Sequence, residues 1–455
     1  MYGQLLQLLA RRAEAGNPLR VGLIGAGKFG TMFLSQVPRV PGLHLLGVAD
    51  IAPERARAAL LTAGFAAEQI TAASWDEARR NGATRIVDSG AELIAADGLE
   101  VVVEATGIPA AGIRHALDAF AHGRHDVMVN VEADVLVGPL LAERARTAGV
   151  TCSLAYGDQP ALICELVDWA RCAGFEVVCA GKGTKYLPVY HNSTPDTVWD
   201  YYGFTPELVA SGNYNARMFN SFLDGTKSAI EMAAVANATG LLPQDGGLRF
   251  PPCGVDDLPR VLRPCEDGGQ LSRRGTVEVV SSLERDGRPV FRDLRWGVYV
   301  TLAAPSEYVK RCFAEYGLVT DPSGGYMALY RPFHLIGLEL AISVLGAGLR
   351  GEATGVATGF RGDVMAVAKR DLAAGETLDG EGGFTVYGVL WPAERAVAKG
   401  ALPIGLAHGV RLKTAVPAGH VVRWQDVEID EADETVRLRR EMERRFAADM
   451  AGVAP

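Results

Sequence analysis

The stretch Val21-Gly22-Leu23-Ile24-Gly25-Ala26-Gly27-Lys28-Phe29-Gly30 constrains what this chain can fold into more than any other. An apolar run ends in Gly25-x-Gly27-x-x-Gly30, and a segment with Met32, Phe33 and Leu34 continues it as a helix. Strand, glycine turn and helix, in that order, make a dinucleotide-binding turn. Gly25 permits the tight turn, Gly27 lets backbone approach a pyrophosphate, and Gly30 lets the helix pack on the strand. The helix N-terminus offers N–H groups and a positive dipole end to phosphate, with Lys28 and Phe29 in the same turn. A second apolar run, 43–49, ends in Asp50, at about the spacing of the acid that bonds the adenosine ribose. The prediction is a Rossmann domain with a parallel sheet.

Three totals bound the rest. A chain of 455 residues is too long for one ordinary core, so two or three domains are expected. With 45 basic and 54 acidic residues the net charge is −9, and no basic tract stands out, which argues against a nucleic-acid partner. Seven cysteines without CxxC or Cys/His spacing predict reduced thiols in a cytoplasmic protein, with no disulfide framework and no structural zinc. No run is apolar and long enough to predict a membrane span, and residues 1–20 read as an amphipathic lead-in helix.

Along the chain, residues 1–150 alternate strands and helices, which predicts parallel strands joined by right-handed crossovers. Ligands of such sheets bind at the carboxyl ends of the strands. That singles out Thr106 and Gly107 after the strand 99–104, and Asn130 and Glu132 after the strand 126–131. Asn130 and Glu132 equally suit the capping of a helix over 133–148.

Residues 151–361 change texture and read as an α+β substrate and oligomerisation domain. The strand 177–180 runs into Gly181-Lys182-Gly183-Thr184-Lys185, where Lys182 and Lys185 are candidate phosphate or carboxylate contacts. The segment 191–220, with Trp199, Tyr201, Tyr202, Tyr214 and Arg217, reads as a substrate-facing loop region more than a packed core. In 222–237 a helix would stack Asp224, Lys227 and Glu231 on one face, with Asn237 roughly on the same side. Alanine and apolar neighbours favour a buried site over a solvated ion-pair face. His334 is expected at the start of an apolar helix over 335–347 and is a candidate for substrate or proton handling. Residues 362–430 have short strands and glycine turns, the mark of a small all-β module, and 431–455 hold a charged surface helix.

The glycine turn, the Asp224-Gly225-Thr226-Lys227 segment and the C-terminal module together resemble the homoserine-dehydrogenase-like oxidoreductases that carry a SAF domain. Within them the chain is most similar to the reductoisomerase-like enzymes of the second type, over about residues 5–430. The resemblance implies NAD(P)H-dependent conversion of 1-deoxy-D-xylulose 5-phosphate to 2-C-methyl-D-erythritol 4-phosphate, a step of isoprenoid precursor synthesis. Two alternatives stand beside it: a dehydrogenase of another small sugar phosphate, branched sugar or semialdehyde without isomerisation, and a non-catalytic nucleotide or sugar sensor. The resemblance makes Lys227 the proton-handling residue, with Lys182, Lys185 and Arg217 on a phosphate. It makes Asp224 and Glu231 candidate ligands of Mg²⁺ or Mn²⁺, and implies a homodimer or homotetramer. Asp50 favours NADH, whereas Arg55 could accommodate the 2′-phosphate of NADPH, the cofactor preferred for a biosynthetic reduction.

Overall fold

The computed structural model describes residues 4–212 and 214–447. They form two compact units, 1–165 with 334–358, and 166–333 with 359–455. No helix of the described residues is long and apolar enough to cross a membrane.

The first unit is built on six parallel strands, β1 (Leu19–Ile24), β2 (Leu43–Ala49), β3 (Arg85–Val87), β4 (Val101–Glu104), β5 (His125–Met128) and β6 (Cys152–Leu154). Their spatial order is β3-β2-β1-β4-β5-β6, the doubly wound order of dinucleotide-binding sheets. The central strands are buried on both faces, which is why they read as continuous apolar runs instead of alternating ones. The unit extends past the expected boundary at 150, because β6 pairs with β5 and closes the sheet edge.

A second difference is the apolar helix expected over 335–347. Gly337 takes φ +76 and residues 336–340 form turns, so the helix spans Ala341–Arg350. Val344 and Leu345 pack in the core cluster with Val21, Leu23 and Val101. Its apolar face therefore packs on the Rossmann sheet.

The second unit holds a mixed sheet of β7 (Glu176–Thr184), β8 (Leu242–Pro243), β9 (Thr276–Ser281), β10 (Val298–Ala303) and β11 (Tyr326–Arg331). The order is β11-β10-β7-β9-β8; β7, β8 and β9 run parallel, while β10 is antiparallel to β7 and β11. The helix Thr226–Thr239 is buried nearly all round, with only Lys227, Ala238 and Thr239 partly open. After it come β12 (Gly362–Ala368), β13 (Thr377–Asp379), β14 (Val386–Pro392), β15 (His408–Leu412) and β16 (Val427–Glu428), paired as β12-β14 and β13-β15-β16. These form the small C-terminal β module, followed by the helix Glu434–Arg445.

The aromatic segment 191–220 corrects an expectation. It folds as the short helices Val198–Tyr202 and Pro206–Ser211 and the helix Ala216–Leu223. Trp199, Tyr201, Tyr202 and Phe219 pack with Tyr190, Val198 and Leu223 as a cluster of their own. Ring-to-ring packing of this kind holds irregular chain together without a long regular element.

Candidate active site

The glycine turn is shaped for phosphate. Gly25 has φ +96, and a Cβ there would lie 2.7 Å from the Ala105 carbonyl oxygen. A Cβ on Gly30 would lie 2.5 Å from the Gly25 carbonyl oxygen, so the helix Lys28–Gln36 packs that closely on the turn only with glycine. A Cβ on Gly27, by contrast, would meet nothing within 4 Å. That opening, at the N-terminal end of a helix, fits a pyrophosphate. Lys28 is exposed at the first helical position, whereas Phe29 packs against the core cluster and is a packing residue.

Asp50 ends β2 with its side chain fully buried. Its carboxylate accepts from the Ala26 amide at 2.9 Å, the Ala52 amide at 2.8 Å, and the Arg55 guanidinium at 3.0 and 2.6 Å. Burial pushes its pKa up, but Arg55 and the two amides outweigh that and hold it below the usual carboxylate range. Asp50 thus anchors the turn and Arg55 together, and the side chain left half open beside it is that of Arg55, 54% exposed.

At the carboxyl end of β4, fully buried Glu104 is a residue that sequence reasoning passed over. It accepts from the Thr106 hydroxyl at 2.6 Å and pairs with His115 Nδ1 at 3.2 Å. Thr106 is therefore held by Glu104, and Gly107 follows at φ +69 with open space where a Cβ would be. Asn130 caps the helix Val131–Thr147 by accepting from the Ala133 amide at 3.3 Å, and Glu132 is half-buried in its first turn.

In the second unit the candidates do not share one helical face. Asp224 lies between two helices, as the C-cap of Ala216–Leu223, and accepts from the Thr226 amide at 2.9 Å. Lys227 and Glu231 are on the next helix, Lys227 half-buried and Glu231 buried. Glu231 is paired with Lys182, which projects from β7 and is itself only 4% exposed. Asp224 is paired with Lys369, at 2.8 Å, a lysine just beyond β12 that nothing in its local sequence singles out. Burial raises the Asp224 pKa, while Lys369 and the Thr226 hydrogen bonds pull it back.

Each of the two carboxylates expected on a divalent cation thus has its own ammonium group. Among the described residues no group of three or more His, Cys, Asp or Glu side chains is placed to hold a metal ion. The donor set around Asp224 and Glu231 does not fit Mg²⁺ or Mn²⁺, because each carboxylate is already neutralised.

Lys185 donates to the Tyr201 carbonyl, and its ammonium lies 5.4 Å from the centre of the Tyr202 ring. Arg295 lies 6.0 Å from the same ring and 4.7 Å from that of Trp296. Among the described residues neither cation has a carboxylate partner. Burial and then the Arg295 charge push the Lys185 pKa down, as expected of cations converging on aromatic surface. Arg217 is elsewhere engaged, with Asp379, and Asn237 binds backbone: its Oδ1 accepts from the Arg361 and Gly362 amides at 2.7 and 2.9 Å. Both are structural residues of the C-terminal region's attachment. His334 is half-buried in the first unit, ahead of the helix at Ala341 and not at its start.

With a glycine turn that fits a dinucleotide and an oxidoreductase catalytic-domain match, the chain is an NAD(P)-dependent oxidoreductase. Residues 157–340 match the family model described as oxidoreductase DRL, catalytic domain, and residues 363–428 match the SAF domain. The catalytic-domain match removes the sensor reading. No curated protein matches the chain in sequence. Among solved structures, the chain is similar to myo-inositol dehydrogenase from Lactobacillus casei in complex with NAD(H) and myo-inositol: 16% identity, TM-score 0.30, over 40% of this chain and 50% of that one. It is also similar to scyllo-inositol dehydrogenase from Lactobacillus casei, at 10% identity and TM-score 0.34 over 69% of this chain and 76% of that one. A probable dehydrogenase from Thermotoga maritima matches at 14% identity and TM-score 0.38, over 74% of this chain and 91% of that one. The chain spans half the length of the first of these. At such identities and scores the likeness says nothing of substrate or mechanism.

Proposed function

We propose that this enzyme reduces the carbonyl group of a small phosphorylated polyhydroxy compound with NADPH. The first candidate reaction is the reductoisomerisation of 1-deoxy-D-xylulose 5-phosphate to 2-C-methyl-D-erythritol 4-phosphate, which consumes one NADPH and one proton. The observation that carries this reading is the buried Lys182–Glu231 pair on β7 and the helix Thr226–Thr239, inside the matched catalytic domain.

NADPH, when bound, supplies the hydride that reduces the carbonyl carbon. Gly25, Gly27 and the amides of the Lys28 helix would hold its pyrophosphate. Arg55, braced by Asp50, would face the 2′-phosphate with a fork of N–H donors. Lys182 has a proton to give and Glu231 to stabilise it, so this pair can protonate the oxygen that becomes a hydroxyl. Lys227, half-buried one helical turn before Glu231, is the second proton-handling group. Lys185 and Arg295 would hold the substrate phosphate. With ammonium groups on both carboxylates, lysines rather than a metal would stabilise a developing oxyanion. That chemistry suits equally a dehydrogenase of another small sugar phosphate, which is the second reading.

The test is NADPH and NADH oxidation followed optically with 1-deoxy-D-xylulose 5-phosphate, with and without Mg²⁺ or Mn²⁺. NADPH consumption with formation of 2-C-methyl-D-erythritol 4-phosphate is the expected result. No consumption by protein shown to bind NADPH would overturn the reductoisomerase reading and leave the plain dehydrogenase.

A further inference from the structure

We infer that the C-terminal SAF module is a working part of the catalytic centre, with Lys369 as a positioning residue that fixes Asp224, His191 and Tyr186 around the first turn carrying Lys227. The inference rests on the oxidoreductase reading of that turn but on no particular substrate.

Lys369 is 8% exposed; its ammonium group donates to the Ser193 carbonyl at 2.7 Å and the Gly383 carbonyl at 2.8 Å, and forms an ion pair with Asp224 Oδ2 at 2.8 Å. Asp224 is fully buried and spends its other oxygen on the Thr226 amide. Its backbone carbonyl accepts from His191 Nδ1 at 2.7 Å.

A carbonyl only accepts, so Nδ1 carries the hydrogen. In the neutral ring, Nε2 is then left to accept from the Tyr186 hydroxyl, 2.9 Å away. Burial lowers the His191 pKa, which favours that neutral tautomer, and Lys369 adds to the effect while Asp224 opposes it. The other ionisable groups facing the array are Tyr387, stacked on His191 at 4.7 Å, Arg285, 5.7 Å over the Tyr186 ring, and buried Glu278, which acts on Tyr186.

The module supplies more than the lysine. Tyr387 comes from β14, and the next amide, Gly388, donates to the Thr226 hydroxyl at 2.7 Å. The Gly382 carbonyl accepts from Asn220 at 3.0 Å. Asp224, Thr226 and the helix entering them are thus gripped from the module at three points, by Lys369, Gly388 and Gly382, just ahead of Lys227. A buried ion pair is a poor stabiliser compared with apolar packing. Its place beside the turn that carries the proton-handling lysine gives it another use: holding that turn and the Tyr186–His191 hydrogen bond in one geometry.

The experiment uses the full chain and compares Lys369→Met, Lys369→Arg and Tyr387→Leu with wild type. The His191 ring is followed by NMR, its resonance assigned with His191→Gln, alongside NADPH binding by fluorescence and NADPH oxidation with 1-deoxy-D-xylulose 5-phosphate. In Lys369→Met the His191 titration is expected to move to higher pH, because a neighbouring cation is gone. NADPH binding persists, and kcat falls on the order of tenfold or more, with Lys369→Arg recovering part of both effects. If Lys369→Met does not fold, Tyr387→Leu opens the other side of the ring and is expected to move the titration the same way. A folded Lys369→Met with wild-type His191 titration overturns the proposal and makes Lys369 a folding staple. So does an unmoved titration in Tyr387→Leu when Lys369→Met does not fold. Absence of turnover in the wild type counts against the substrate reading alone, because the His191 titration needs no substrate.

Discussion

Two buried acids of the Rossmann unit and three of the second unit sit in opposite surroundings. In the Rossmann unit, Asp126 on β5 is fully buried with neither oxygen hydrogen-bonded, and the Oδ2 of buried Asp134 has no partner. Among the described residues no cation pairs with either. Burial pushes Asp126 well above the usual carboxylate range, with Glu104 adding to it, and pushes Asp134 up to about 7. In the second unit Asp224 has Lys369, Glu231 has Lys182, and Asp363 has Arg439. Glu278 lies between the two cases. It has no cation, but the Arg249, Phe250 and Val279 amides and Gln244 all donate to it, and burial still pushes it up to about 7. Hydrogen bonds offset part of the desolvation of a carboxylate; keeping one charged in a dry interior takes a cation. Asp224, Glu231 and Asp363 thus each face a buried cation, whereas Asp126 and Asp134 face none among the described residues.

The largest break of this contrast is Arg439→Met. Arg439 is fully buried and holds Asp363 at 2.6 Å and Glu443 at 2.9 Å, so its loss strands Asp363 and leaves Glu443 with Arg440 alone. Removing one partner of a buried pair costs about 3–5 kcal/mol, and the second unit should lose at least that in urea unfolding. Arg439→Met as stable as wild type would show that these acids go neutral without cost, and the contrast would fail.

Next is Asp134→Asn in the Rossmann unit. With a folded pKa of about 7 against an ordinary value of 3.8, the native state holds the proton more tightly than the unfolded chain. Stability should therefore fall as pH rises from about 4 to about 7 and level off above. At about 1.4 kcal/mol per pKa unit, the full effect is on the order of 4 kcal/mol. Asparagine cannot ionise, so Asp134→Asn should gain stability at pH 8 and change little at pH 4. Chemical denaturation at both pH values reads this directly; equal stabilities at pH 8 would mean that Asp134 ionises freely in place.

What was legible in the sequence follows the same division. The glycine turn was legible because ten consecutive residues carry its whole geometry, and β1, β2 and β4 because strands buried on both faces read as apolar runs. Asp224, Lys227 and Glu231 stood out as charges among alanines, but helical spacing placed them on one face. Gly225, at φ +90, starts a new helix and leaves Asp224 on a cap instead. The partners were not legible. Lys369 follows an apolar strand in another module, and nothing local distinguishes it from a solvated lysine. The same holds for Arg439, which sits in a helix so charged that its buried face, Leu438, Arg439 and Met442, is hard to see. Ion pairs closed by the fold across long sequence separations leave no periodic trace.

The smallest expected effect tests Asp50, a buried acid of the Rossmann unit that has a guanidinium partner. Asp50 is buried but Arg55 is half open, so the pair is screened on one side. If Arg55 faces a 2′-phosphate, Arg55→Ala should weaken NADPH by about tenfold, the low end for a charge-assisted hydrogen bond, and leave NADH nearly unchanged. Freed of its guanidinium, Asp50 would present a bare carboxylate to the ribose, which repels a 2′-phosphate and accepts from a 2′-hydroxyl. The variant should therefore shift preference toward NADH beyond the loss of one contact. Measuring KM for both cofactors separates the outcomes. Equal weakening of both would place Arg55 in the support of the turn, through Asp50 and the Ala26 amide, and take it out of the choice of cofactor.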